Sequence, residues 1–471
     1  MNIPLKPLCA ALALVLAGCA VTEPRTQVRI DIPPAYTEGS APSIADETRE
    51  LTTAWWLGFG SPQLTSLIEE ALTGSADVRI AAERITQAEL ALRIAGASLL
   101  PNIGVGVGQS FNRSDSPGSD ATTRRGTSVS VAMSYEIDLW GRLAAGIQAQ
   151  QQGVAISRFD AETVRLTLTT SVAATYFQLL ATRARLDIAR DNLATAERVL
   201  KVVDARFRNG VATPLDVSQQ TTTVLNQRAA LIPLEVSERQ TTSALALLIG
   251  RVPQGFGAAE ENFEQLAVPT VAAGLPSSLL TRRPDLAAAE AELAAADANV
   301  AAARAALLPS ISLSASGGLA SAALLSLVNP TNVLSIGLSL AQTIFDGGER
   351  RAQVGIQQSQ RRVLVEVYGS TVRTALKEVD DALGNADSNA RLEVAQQQTL
   401  EQAQRSLRLA EVRYKEGVGD LLAVLDAQRS LFSSQDQLAQ SRLARLTASL
   451  DLFKALGGGW MAPEATASVS R

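Results

Sequence analysis

Two spacings of apolar residues alternate along the chain. Leu179, Leu186, Leu193, Leu200 and Phe207 fall seven apart, and Ala189, Ala196 and Val203 fill positions three later. That pattern is the seam of a helix packed along its length against others. A second stretch repeats the frame with Leu400, Ala403, Leu407, Ala410 and Tyr414. No proline lies between Pro117 and Pro214 or between Pro330 and Pro463, so nothing in either window must break a helix. The windows predict long helices over about 144–208, 348–416 and 420–456, and a further long helix is expected over about 214–249. The first of these, about 65 residues, measures ~97 Å at 1.5 Å per residue.

Four shorter stretches, about 102–111, 127–139, 310–317 and 334–345, alternate at period two instead. Ser310–Ser316 reads SISLSAS and Ser335–Leu340 reads SIGLSL. In the first half Ile103, Val105 and Val107 alternate with Gly104, Gly106 and Gly108, and Val129, Val131, Met133, Tyr135 and Ile137 follow Ser128 and Ser130 in the same manner. The Gly-rich stretch precedes no helix, so it is not a phosphate-binding loop. With their flanks the stretches approach the ~9–11 residues of a tilted membrane strand. Apolar residues on one face and Ser or Gly on the other suit lipid outside and water inside. Phe111, Trp140 and Phe345 sit near the ends, where interfacial aromatics belong. A half-buried sheet in a soluble protein shows the same alternation.

The chain repeats itself. Ala95–Pro101 (AGASLLP) returns as Ala303–Pro309 (ARAALLP), and Asp138 returns as Asp346, both after 208 residues. Arg206–Val211 (RFRNGV) returns as Arg413–Val418 (RYKEGV), and Leu247–Gly250 (LLIG) as Lys454–Gly457 (KALG), both after 207. Landmarks in one order at one spacing mark a tandem duplication. The expected organisation is a repeat over 60–250, a connector over 251–274 rich in Pro and Gly, a second repeat over 275–457 and a tail over 458–471. Each repeat is expected to run helix, two strands, one very long helix, a tight turn and another long helix.

The N-terminus carries an address. Residues 1–18 read as a signal peptide: Lys6 is its positive end, and Leu8–Ala17 is an apolar run too short to span a bilayer. Leu16, Ala17, Gly18 and Cys19 match the bacterial lipobox. That match implies cleavage before Cys19 and lipidation of it, leaving residues 19–59 as a lipidated arm. Ala20, rather than Asp, follows the cysteine, which favours the outer membrane.

Composition removes whole classes of chemistry. The 471 residues contain no histidine, and the two cysteines, Cys9 and Cys19, both lie within the first twenty positions. His-dependent catalysis, a disulfide framework and Cys/His metal sites are therefore excluded from the body. A net charge of −5 without a basic tract argues against nucleic acid. No enzyme, resident metal or cofactor is expected, the covalent lipid on Cys19 apart.

Four strands cannot close a barrel, and lipid does not tolerate an open sheet edge. About eight strands are the practical minimum, so copies must pool strands: two give eight, three give twelve.

Several stretches then carry a family resemblance: Leu99–Pro101 (LLP), Glu136–Arg142 (EIDLWGR), Arg413–Val418, Leu425–Leu431 (LDAQRSL) and Leu452–Trp460 (LFKALGGGW). With the lipobox, they resemble the TolC/OprM-type outer-membrane efflux proteins, in the NodT-like lipoprotein branch that serves resistance-nodulation-division (RND) pumps. The resemblance covers essentially the whole mature chain. It implies a mainly α fold with membrane β: a homotrimer whose 12-stranded transmembrane barrel continues into a long periplasmic α-helical barrel. It implies an exit duct of a tripartite efflux pump in a Gram-negative outer membrane, partnered by outer-membrane lipid, a periplasmic adaptor and an inner-membrane RND pump. A duct for type I protein secretion is the alternative.

By the same resemblance Tyr414, Leu422, Asp426 and Arg429, with Asp216 as first-half counterpart, form the periplasmic gate. Asn209, Gly210, Val211, Gly417 and Val418 are the hairpin tips that meet the adaptor. Ala423 stands where the TolC branch often has a second Asp, so the resemblance does not carry a two-ring gate over to this chain.

Overall fold

A computed structural model describes residues 31–38, 53–115, 117–118, 120–271, 274, 276–322, 327 and 329–462. The signal segment and Cys19 lie outside the described residues, as does most of the tail. In the first half, α1 (Pro62–Gly74) and α2 (Ala76–Ala97) lead into β1 (Asn102–Ser114) and β2 (Thr122–Ile137), followed by α3 (Arg142–Arg208) and α4 (Pro214–Leu248). The second half runs α5 (Leu279–Arg282), α6 (Pro284–Ala305), β3 (Ser310–Ser321), β4 (Thr331–Ala341), α7 (Glu349–Lys415) and α8 (Leu421–Ala455). The duplication is metrical. Both α3 and α7 have 67 residues, both α4 and α8 have 35, and both α2 and α6 have 22.

Two helices, not one, precede each strand pair. Ser75 breaks the run by taking an extended conformation, and its hydroxyl accepts the Asp77 amide at 3.2 Å to start α2. In the second half Pro284 forces Arg283 out of helical geometry, with φ −108° and ψ 122°.

Two compact units divide the chain. One contains residues 84–157 and 288–369, and so holds the sheet. Among the described residues it has four antiparallel strands in the order β1-β2-β3-β4, with β1 and β4 at the edges. Register puts like with like. Val105 opposes Val131, which opposes Gly317, which opposes Leu334; one residue along, Gly106 opposes Ser130, which opposes Gly318. One face of the sheet is therefore apolar through its middle and the other is Gly and Ser. Ser312 and Ser339, and again Ser316 and Ser335, pair hydroxyl to hydroxyl at 2.7 Å across the polar face.

The strands differ in extent from the sequence reading of 102–111, 127–139, 310–317 and 334–345. They run further into the hairpins, because Thr122–Gly126 and Gly317–Ser321 pair through their backbones although their side chains do not alternate. At the helical end β2 and β4 stop earlier, while β1 and β3 begin where expected. Asp138 leaves β2 to accept the Leu143 and Ala144 amides at the start of α3, at 3.1 and 2.8 Å. Asp346 accepts the Gly348 amide at 2.9 Å before α7. The repeated aspartates are thus helix caps. Trp140 and Phe345 fall outside the strands, and the Trp140 indole donates to the Pro309 carbonyl at 2.7 Å.

The other unit contains residues 31–83, 158–287 and 370–471. Trp55, Phe59, Leu64, Ile68, Tyr176, Phe177 and Phe453 form its main core, with Trp55 stacked on Phe453 at 5.4 Å. The connector is tied down by charge. Glu261 accepts the Tyr176 hydroxyl at 2.7 Å and the Ser61 hydroxyl at 2.5 Å. Arg442 donates to the carbonyls of Phe263, Glu264 and Leu266 and to Glu393, which also takes Arg445 at 2.7 Å. Burial opposes the Glu393 charge, but Arg445 and Arg442 outweigh it and hold its carboxyl below the ordinary value.

The seven-residue line drifts. Leu179 and Leu186 are buried, Leu193 and Leu200 only half-buried, and Phe207 is exposed; the buried positions move to Asn192, Ala196, Val199 and Val203. A straight helix turns by ~20° per heptad against a strict seven-residue repeat, so four heptads rotate the line off the packed face.

Gly250 ends the first repeat at φ +79°, and a Cβ there would lie 2.2 Å from the Gly74 carbonyl oxygen. Gly210 has φ +77° with open space around it. Alanine at either position meets the left-handed cost of ~1–2 kcal/mol, but only at 250 does it also collide. Gly250→Ala should lower the thermal midpoint of the helical circular-dichroism signal clearly more than Gly210→Ala. Equal midpoints would mean that the α1 and α4 ends do not meet so closely.

Candidate functional site

Two helical hairpins supply the tips, and their turns are built alike. The Gly210 amide donates to the Phe207 carbonyl at 2.9 Å and the Val211 amide to the Arg206 carbonyl at 2.9 Å. In the second half Gly417 donates to Tyr414 at 3.2 Å and Val418 to Arg413 at 3.0 Å. This paired closure ends a helix with one left-handed residue, and Gly210 and Gly417 fill that position at φ +77° and +76°. Val211 and Val418 are pushed into solvent at the two apices, and Asn209 folds back to donate to the Ala205 carbonyl at 2.7 Å.

Each returning helix then starts on a polar cap. The Asp216 carboxylate accepts the Thr213 amide at 2.7 Å, while the Thr213 hydroxyl accepts the Asp216 amide at 3.2 Å. Asp216 is thereby occupied in a capping box. The Asp420 side chain caps α8 by accepting the Ala423 amide at 2.9 Å. Asp426 lies beyond the cap and is not needed for it.

Leu422, Asp426 and Arg429 stand four and three residues apart, which lines them up along one face of α8. All three are exposed. Asp426 and Arg429 pair at 3.1 Å with 61% and 83% of their side chains open to solvent. Tyr414 does not join this stripe. It is 5% exposed and packs into a cluster with Val199, Val203, Leu407, Leu421 and Val424. Burial pushes its phenol above the ordinary value.

What holds Tyr414 is Arg206, a residue that reasoning from sequence passes over. Its guanidinium lies 4.5 Å from the Tyr414 ring centroid and donates to the Tyr414 carbonyl at 2.5 Å. Arg206 thus reaches from the end of α3 to the end of α7, pinning one tip to the other within a single chain. The signal is present in the repeat, where Arg206 and Arg413 are equivalent, but the two do different work. Arg413 turns back on its own loop and donates to the Val418 carbonyl at 3.3 Å.

The arrangement offers charge and shape rather than reaction chemistry. Among the described residues no group of His, Cys, Asp or Glu is placed to hold a metal, and no helix is long and apolar enough to cross a membrane.

Comparison with known proteins agrees with this layout. The family model described as "Outer membrane efflux protein" matches residues 67–251 and 275–458. The pyoverdine export outer membrane protein OpmQ of Pseudomonas aeruginosa is 42% identical over 86% of this chain and 87% of its own. The OpmQ of Pseudomonas putida is 38% identical over 99% of this chain and 100% of its own. Among solved structures, the open state of the Neisseria gonorrhoeae MtrE outer membrane channel superposes with a TM-score of 0.82. It is 29% identical and covers 94% of this chain and 98% of that one.

The Arg206 pin is testable without any transport assay. Arg206→Ala removes the ring contact and the bond to the Tyr414 carbonyl, so the second tip should loosen. Limited trypsin treatment is expected to cut after Lys415 several-fold faster, with Arg206→Lys intermediate because an ammonium lacks the planar stack. Unchanged cleavage would mean that Arg206 does not hold the tip.

Proposed function

The chain belongs to the outer membrane efflux protein family, and we propose that three copies of it form the exit duct of a tripartite efflux pump. The observation that carries the proposal is the sheet: among the described residues it has four strands, one apolar face, one face of Gly and Ser, and two edges without partners. A backbone group left unpaired in hydrocarbon costs several kcal/mol, so β1 and β4 need neighbours. Other copies of the same chain supply them with matching chemistry. Three copies give twelve strands and a lumen lined by small polar residues, and the family resemblance favours three over two.

The long helices continue the duct into the periplasm. Their tips at Asn209–Val211 and Gly417–Val418 meet an adaptor protein, which joins the duct to an RND-type pump in the inner membrane. The Leu422, Asp426 and Arg429 stripe faces the threefold axis. Three carboxylates and three guanidiniums crowd there, forming a charged constriction that the adaptor relaxes. Asp216 acts as a helix cap, not as a second ring. Cys19 carries lipid and fastens the arm to the inner leaflet. Protein secretion is the weaker reading, since the two OpmQ relatives are named for export of pyoverdine. Pyoverdine is accordingly the first cargo to test.

Purified protein should have the mass of three chains by light scattering and should conduct ions in planar bilayers. A monomer that makes no channel would refute the duct. Asp426→Ala should raise single-channel conductance while leaving the trimer as heat-stable as wild type, because an exposed pair of this kind is worth ~1 kcal/mol or less. Wild-type conductance in that variant would move the constriction to Leu422. Mass spectrometry of the mature N-terminus should find Cys19 triacylated, and a bare cysteine would remove the anchor.

A further inference from the structure

The apolar face of the sheet ends in arginine. Following β1 on that face, Ile103, Val105 and Val107 give way to Gln109, Phe111 and Arg113. On β2 the same face runs from Ile137 through Met133 and Val129 to Thr127, Arg125 and Thr123. Phe111 opposes Arg125, and Arg113 opposes Thr123, so the two arginines are diagonal neighbours on one surface, ~7–8 Å apart at the backbone. Arg124 points the other way, opposite Asn112 on the Gly and Ser face.

Height on the sheet fixes what these arginines meet. Eight residue steps separate Ile103 from Phe111. At ~3.4 Å per step and a tilt of ~35–45° they rise ~20 Å, close to the ~25 Å apolar band of an outer-membrane barrel. Phe111 therefore sits at the rim of the band, with Arg125 level with it and Arg113 just beyond. Both β hairpins turn at this end, whereas α2, α3, α6 and α7 all join the opposite end. If the helices are periplasmic, the arginine rim faces the outer leaflet.

The side chains are prepared for an anion. The Arg125 guanidinium lies 5.5 Å from the Phe111 ring centroid, which steadies its plane, and its N–H groups have no partner among the described residues. Arg113 and Arg125 are exposed, and neither forms an ion pair with a described carboxylate. Asp115 and Asp120 stand in the turn beyond the strands.

We propose that Arg113 and Arg125, flanking Phe111, form a site on the outer face of the barrel for the phosphate groups of the outer leaflet's phosphorylated glycolipid. A guanidinium matches a phosphate through paired N–H donors, and two of them at headgroup level bracket one phosphate from either side. The phenyl ring rests against the first carbons of the acyl chains. Three copies place three such sites around the rim, where they fix the depth of the barrel in the membrane. The inference rests on the sheet spanning the outer membrane and on nothing at the helical tips.

Native mass spectrometry of the full, lipidated channel in detergent, titrated with bisphosphorylated lipid A, tests it. Wild type should bind the glycolipid, and lipid A stripped of both phosphates should bind roughly tenfold more weakly. Arg113→Ser/Arg125→Ser should lose the same factor, while Arg124→Ser, on the other face of the same strand, keeps wild-type binding. Equal binding of stripped lipid A would overturn the site, and so would an equal loss in Arg124→Ser, which would reveal a diffuse field. Displacement by millimolar inorganic phosphate would also overturn it, since the site would then be a free-anion site. The comparison of the two lipids uses wild type alone and stands even if the double variant does not assemble. Planar-bilayer conductance separates the two readings: a conducting channel indifferent to lipid phosphate sinks this site and leaves the duct intact.

Discussion

An amide in hydrocarbon has no water to bond to, and this single fact organises the sheet-bearing unit. Helices satisfy every amide internally, but strands satisfy theirs only through neighbours. Among the described residues of one chain β1 and β4 have no outer neighbour, and the proposed trimer is the arrangement that would give them one. The side chains follow from the same demand. A lipid-facing surface must be apolar at every second position, and a narrow lumen must be lined by residues too small to fill it. Hence Gly104, Gly106 and Gly108 pair with Ala132, Ser130 and Ser128, and serine hydroxyls bond to each other across β3 and β4. In the proposed barrel a single charged substitution among Val105, Val131 or Leu338 would meet lipid, not water.

The helices answer a different constraint, which is to stop at a defined length. Helices of 67 residues have no internal reason to end, since propagation adds a bond for each residue fixed. Ends are therefore imposed by particular residues: aspartates at 138 and 346, glycines at 210 and 417, and a capping threonine or aspartate at 213 and 420. Each comes in pairs because the segment was duplicated. Equal lengths in the two halves then follow from equal punctuation rather than from the apolar seams.

Much of this punctuation is legible in the amino-acid sequence, because Gly, Pro and Asp act locally. Period-two alternation separates the two faces of every strand for the same reason. What stays hidden there depends on partners far away in the chain. The Arg206 stack on Tyr414 joins residues 208 apart, and no periodicity announces it. Asp216 reads as a free charge along the chain, whereas in the fold Thr213 holds it. The break at Arg283 is written locally in Pro284, whereas the one at Ser75 is marked only by a serine whose hydroxyl caps the next helix. Proline misleads in the other direction: Pro233 sits inside α4 without ending it. The strict seven-residue line fails at Phe207 because a straight helix turns faster than that line.

The duplication also indicates which tip has specialised. Subtracting 207 from Leu422, Asp426 and Arg429 gives Leu215, Gln219 and Thr222, residues on the matching face of α4 that carry no charge. Subtracting it from Tyr414 gives Phe207, which is exposed where Tyr414 is buried. The two hairpins share a backbone and differ in what they present. The first hairpin contributes Arg206 to hold its neighbour and keeps its own stripe neutral. The second buries its aromatic under that arginine and displays a carboxylate and a guanidinium. Along this matching face the charge is displayed by the α7–α8 hairpin, and the α3–α4 hairpin contributes Arg206 as its support.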